Sequence, residues 1–183
     1  MTLPHPSQFT DLVICPDETV LISTEDVADY YYRLALPECQ WLSSAVGDPI
    51  PVQEILPLLS PERRTALVHR VSSIGDLSPQ PVIVAPAMGD AKSCGTAQGL
   101  HQHVLHESGF ITDDNWISYR FAVPVGDEWA GVYLDDILLL QIAARNCPDD
   151  HRPRAQEKMD VARQAHKELG TVLHDGKSVS AVD

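Results

Sequence analysis

The chain has 183 residues, enough for one domain with a real core, and 44% of them are hydrophobic. Its formal net charge of −13 argues against binding nucleic acid by bulk electrostatics alone. No apolar run approaches the roughly 18 residues of a membrane span, no basic and apolar leader opens the sequence, and the four scattered cysteines form no CxxC pair, so the expectation is a soluble intracellular protein with reduced thiols.

Residues 1–18 read as an irregular lead with at most a short strand at LVIC. TVLIST (19–24) is β-branched and apolar, the pattern of a buried strand, and EDVADYYYRLALPE takes it into a short helical turn near Asp29. The stretch 45–80 is broken by prolines and reads as an inserted excursion. One helix is expected inside it, where Ser60 precedes Pro61 and Glu62, and Leu67, Val68 and Val71 follow at helical spacing. PVIVAP (81–86) reads as a short β run between prolines. SCGTAQGLHQHVLHES predicts a helix of about four turns closed by Gly109. ISYRFAVPV reads as a further strand, and GDEWAGVYLDDILLLQIA as strand, tight acidic turn and strand. DDHRPRAQEKMDVARQAHKELG (149–170) is the clearest amphipathic helix, with Met159, Ala162, Ala165, His166 and Leu169 near one face and Gly170 at its end. This order predicts an α/β or α+β sheet with helices on one face.

Charge is uneven along the chain. Residues 1–60 hold Arg33 as their one basic residue among nine acids, whereas seven of the thirteen Lys and Arg lie between Arg145 and Lys177 with six acids beside them, so both regions keep an acidic balance or nearly neutral surface. The HQHVLH cluster offers His103 and His106 on one helix face while His101 points elsewhere, which favours a polar helix face over a zinc site. No GxxxxGK[ST] or GxGxxG phosphate loop occurs.

The stretch GVYLDDILLL (131–140) is the most informative. Asp135 and Asp136 stand side by side among seven large apolar or aromatic residues. Neighbouring carboxylates between buried strands repel each other and cost desolvation unless something positive meets them. Turn chemistry is one answer, since Asp is favoured in turns. A divalent cation is the other, because Mg²⁺ takes one or two carboxylates plus substrate phosphates. A two-metal site draws its carboxylates from more than one element, and Asp26 ends the TVLIST strand, with Asp29 three residues on.

These residues carry a resemblance. YLDD (133–136) resembles the Tyr-x-Asp-Asp box of reverse transcriptases, and EDVADYYYRLALP (25–37) resembles the first palm motif of that family. PAMGDAKSCGTAQ (86–98) is similar to its template-gripping motif, and ELGTVLHDGKS (168–178) to the Gly-then-Lys motif after the palm helix. The four follow the family order over roughly 26–178, closest to retrotransposon-like elements. The resemblance implies an α+β fold: a polymerase palm-like antiparallel sheet with helices packed on one face. The palm would span 19–178 with an insertion near 45–80, between the lead and a tail at 179–183. It also implies an RNA-directed DNA polymerase acting on primer–template nucleic acid and dNTPs. Asp26, Asp135 and Asp136 would hold two Mg²⁺ ions, or Mn²⁺. Tyr31 would be the sugar gate, Gly89, Ser93, Gln98 and Tyr133 would bind substrate, and Lys177 would protonate the leaving pyrophosphate.

The sequence also departs from the family. Met88 stands where glutamine is frequent, Ala87 where proline is usual, and Asp90 adds a negative charge beside the grip. About 25 residues precede Asp26, none of them Lys or Arg, and no thumb or RNase H segment follows Lys177. The expectation is a fragment with fingers and thumb largely missing, those segments being supplied elsewhere in a polyprotein. The rival expectation is a non-catalytic remnant or interaction protein that keeps the palm fold, and a further one is another metal-dependent nucleotidyltransferase.

Overall fold

The computed structural model describes residues 3–74, 78–88, 90–146, 152–174 and 179–182. The chain divides into two compact units, one made of Met1–Leu34 and Met88–Asp183, the other of Ala35–Ala87.

The first unit begins with a single helical turn, α1 (Pro6–Phe9), capped by His5. It is followed by β1 (Glu18–Asp26) and the short α2 (Tyr30–Arg33), which starts at Asp29 in the left-handed region, φ 54°. The second unit holds α3 (Glu38–Trp41), α4 (Val52–Ile55) and α5 (Pro61–Ile74). Back in the first unit come α6 (Ala91–Glu107), β2 (Glu128–Tyr133), β3 (Asp136–Ala144), α7 (Arg152–Glu168) and β4 (Val179–Val182).

The four strands form one antiparallel sheet in the order β2-β3-β1-β4. With α6 between β1 and β2, and α7 between β3 and β4, the first unit is a β-α-β-β-α-β arrangement with the two hairpin strands on one side of β1 and β4 on the other. It is an α+β fold. The central pairing runs unbroken from Glu18 opposite Ala144 to Asp26 opposite Asp136.

Alternation along the strands sorts the faces. On one face Leu21, Ala130, Val132, Ile137, Leu139 and Ala143 are buried against Leu105 of α6 and Ala155, Met159 and Ala162 of α7. The opposite face carries a smaller cluster of Ile117, Trp129 and Leu140, to which Leu12 of the lead is added. Gly131 is needed on that face, because a Cβ there would stand 2.9 Å from Pro4 Cγ.

Several local expectations change. PVIVAP forms no strand; Val82 makes only an isolated bridge to Ala45, since Pro81 and Pro86 bring no N–H to a ladder. ISYRFAVPV likewise yields no strand, and the neighbouring Trp116 makes one bridge to Ala130. The LVIC segment is irregular. Residues 179–182, expected as a tail, form β4 on the free edge of β1. Leu169 lies past the end of α7 and is exposed, while Ala155 takes a core place one turn from Met159. Cys15, Cys39 and Cys94 are free thiols.

Candidate functional site

Three acidic residues lie near one end of the sheet. Asp26 closes β1 and Asp136 opens β3 as its cross-strand partner, so their side chains leave the sheet on the same face. Asp135 lies in the two-residue turn between Tyr133 and Asp136, and its carbonyl accepts the Val27 N–H at 2.9 Å. Asp26 is buried, whereas Asp136 is exposed. Tyr133, opposite Asp136, is half exposed on that face.

The turn is strained and held. Leu134 has φ 56°, a left-handed conformation that a branched side chain adopts at a cost of about 1 kcal/mol. Gln98 on α6 compensates from below, donating Nε2 to the Val132 carbonyl at 2.8 Å and accepting the Leu134 N–H at 2.6 Å. One turn further along α6, His101 reaches the Leu134 carbonyl through Nδ1 at 2.5 Å. Gln98 thus has both ends of its amide engaged by the hairpin and is 1% exposed.

His101 continues inward. Its Nε2 lies 3.1 Å from Nε2 of His166 on α7, and His166 Nδ1 is 2.9 Å from the Thr171 hydroxyl. Burial lowers both rings to about 4, for His166 with the proximity of His101 as a second cause. Both are therefore neutral at pH 7. Sequence reasoning set His101 aside as the histidine pointing away from its neighbours. The i, i+3 spacing of Gln98 and His101, which places both on one face of a helix, was the available signal.

The aromatic pair after β1 packs behind the turn. Tyr30 donates its hydroxyl to the Ala97 carbonyl at 2.9 Å, and its ring lies 5.1 Å from that of His101. Tyr31, 6% exposed, donates to Cys94 Sγ at 3.4 Å. Burial, then the Cys94 contact and the Asp135 charge, push Tyr31 up to about 12, and burial likewise raises Tyr30. Ser93 is buried in the first turn of α6. Asp90 caps that helix, accepting the Lys92 N–H at 3.0 Å.

The structure thus places Asp26, Asp135, Asp136 and Tyr133 at one sheet end, with Gln98 and Tyr31 on the helix side of it. Gly89 and Lys177 lie outside the described residues. Among the described residues no three His, Cys, Asp or Glu side chains converge into a ready metal-holding group. The three aspartates are oxygen donors, the ligand type that Mg²⁺ takes. No helix among the described residues is long and apolar enough to cross a membrane. No family model matches the chain, and no curated protein matches it.

Proposed function

We propose that the chain is a reverse-transcriptase-like palm that adds deoxynucleotides to a primer 3′ end on an RNA template. The observation that carries this reading is the placement of Asp26 opposite Asp136 across the central strand pair, with Asp135 in the adjoining turn. Support also comes from the β-α-β-β-α-β order, which sets both acid-bearing elements side by side while α6 and α7 pack on the other face.

In this reading Asp26, Asp135 and Asp136 hold two divalent ions, whose chemistry is to neutralise the triphosphate and acidify the primer hydroxyl. Tyr133 presents its exposed ring beside Asp136, where a primer or nucleotide would lie. Tyr31, buried against α6, supports the end of β1 from the helix side rather than meeting the sugar. Gln98 orients the turn from the helix side rather than meeting solvent.

The test is primer extension on an RNA template with Mg²⁺ or Mn²⁺. With fingers and thumb segments supplied, the wild-type palm extends the primer, and Asp135→Asn or Asp136→Asn brings extension below detection with the fold intact. Extension that survives in those variants contradicts the site.

A second reading is favoured by the net charge of −13: a non-catalytic interaction protein retaining this fold. Salt-dependent affinity for a primer–template duplex separates the two, because charge-driven binding weakens steeply with salt. An interaction protein with an acidic surface shows no such affinity.

A further inference from the structure

We propose that His101 and His166 are positioning residues that lock the acidic hairpin against the end of β1. This deepens the reading of the hairpin as a metal-holding site and rests on it for its purpose. The geometry behind it is independent.

Two imidazoles inside an apolar core cost free energy unless every polar atom is met. Here His101 is 0% and His166 2% exposed, and all four ring nitrogens have a partner. Only one arrangement of protons satisfies the neutral pair. The Leu134 carbonyl only accepts, so His101 carries its proton on Nδ1 and offers Nε2 as an acceptor. His166 must then donate from Nε2, and its Nδ1 accepts from Thr171. The Thr171 hydroxyl also lies 2.9 Å from the His166 carbonyl and turns to the ring in this state.

The chain of bonds therefore has a direction, and it joins the two acid-bearing elements. It starts at Leu134, next to Asp135, and ends at Thr171. From there the backbone runs along the end of β1. The Ala28 N–H donates to Val172, Leu173 bridges Val27, and the His174 N–H donates to the Asp26 carbonyl, the two bonds being 2.8 Å each. A rotation of either ring breaks at least one bond, so the pair fixes the height of the turn relative to Asp26. A left-handed leucine needs such a hold.

The experiment uses the full chain and Mn²⁺ as the probe. Long-range ¹H–¹⁵N spectra should show His101 as the Nδ1–H tautomer and His166 as the Nε2–H tautomer. His101→Leu keeps the volume but loses both bonds. It should weaken Mn²⁺ binding at the hairpin about tenfold, the usual effect of losing a group that orients a ligand, and speed exchange of the Leu134 amide at least tenfold. His101→Asn keeps a donor near the Nδ1 position and should recover most of both losses. If His101→Leu fails to fold, Thr171→Val cuts the chain at its other end and should shift the His166 tautomer. The proposal is overturned if the tautomers are reversed, or if a folded His101→Leu binds Mn²⁺ and protects Leu134 as the wild type does. Wild-type protein that binds no Mn²⁺ rejects the function proposed above. The tautomers and the Leu134 amide then still decide the positioning role.

Discussion

At one end of the sheet, Glu128 at the start of β2 lies 3.6 Å from Arg154 Nε and 3.5 Å from Lys158 Nζ, and Asp127 beside it lies 3.1 Å from Arg154 Nη1. At the other end, Asp135 has no ion pair among the described residues, and Asp26 and Asp136 stand opposite each other. The difference follows from strand alternation. Glu25 and Asp26 are neighbours in sequence, yet Glu25 points to the helix face and meets Arg163 of α7, while Asp26 points to the other face with Asp136. Helix α7 supplies Arg154 and Lys158 to Glu128 and Arg163 to Glu25, the helix-face carboxylates. Position in the pleat, rather than local composition, separates the structural acids from the candidate functional ones.

Breaking the two groups should give opposite results. The largest effect is expected for Asp135→Asn and Asp136→Asn, which should abolish primer extension without lowering the melting temperature, because they also relieve like-charge repulsion. Arg163→Met should do the reverse at the other kind of acid. It leaves Glu25, 3% exposed, as a buried charge and should cost about 3 kcal/mol in urea unfolding while sparing Mn²⁺ binding.

Acid should destabilise the core before it affects the paired carboxylates at the surface. His101 is held at about 4 when folded against 6.5 when unfolded, so the unfolded state binds more protons between these values. Its contribution is complete above pH 6.5 and is lost as pH falls toward 4. That amounts to about 2 kcal/mol between pH 7 and pH 5, and His166 acts in the same direction. Urea unfolding at both pH values measures it, and the slope should vanish in a folded variant lacking both rings. The smallest effect belongs to Arg154→Ala, half exposed, where loss of the Asp127 and Glu128 pairs should cost about 0.5 kcal/mol and diminish further in salt.

The parts legible in the sequence were those whose signal is local. β1 and the hairpin have β-branched or apolar runs, α7 has a helical stripe, and the acidic turn is written in adjacent letters. β4 was not legible, because VSAV is too short for a period to register and its place comes from the free edge of β1. PVIVAP carries the composition of a strand, but its prolines remove the donors a ladder uses. The site divides the same way. The placement of Asp26, Asp135 and Asp136 at strand ends was readable from their flanking strands, whereas the hold of Gln98 and His101 on Val132 and Leu134 joins residues more than thirty apart in the chain. Nothing in α6 read alone names its partner carbonyls.

The most direct test of the account is a titration of Mn²⁺, well below one equivalent, into ¹⁵N-labelled protein, reading which amide signals broaden first. The account predicts that Val27 and residues 134–137 disappear before any others and are spared in Asp135→Asn. Broadening centred on Asp127 and Glu128, or spread evenly over the acidic surface, would contradict it.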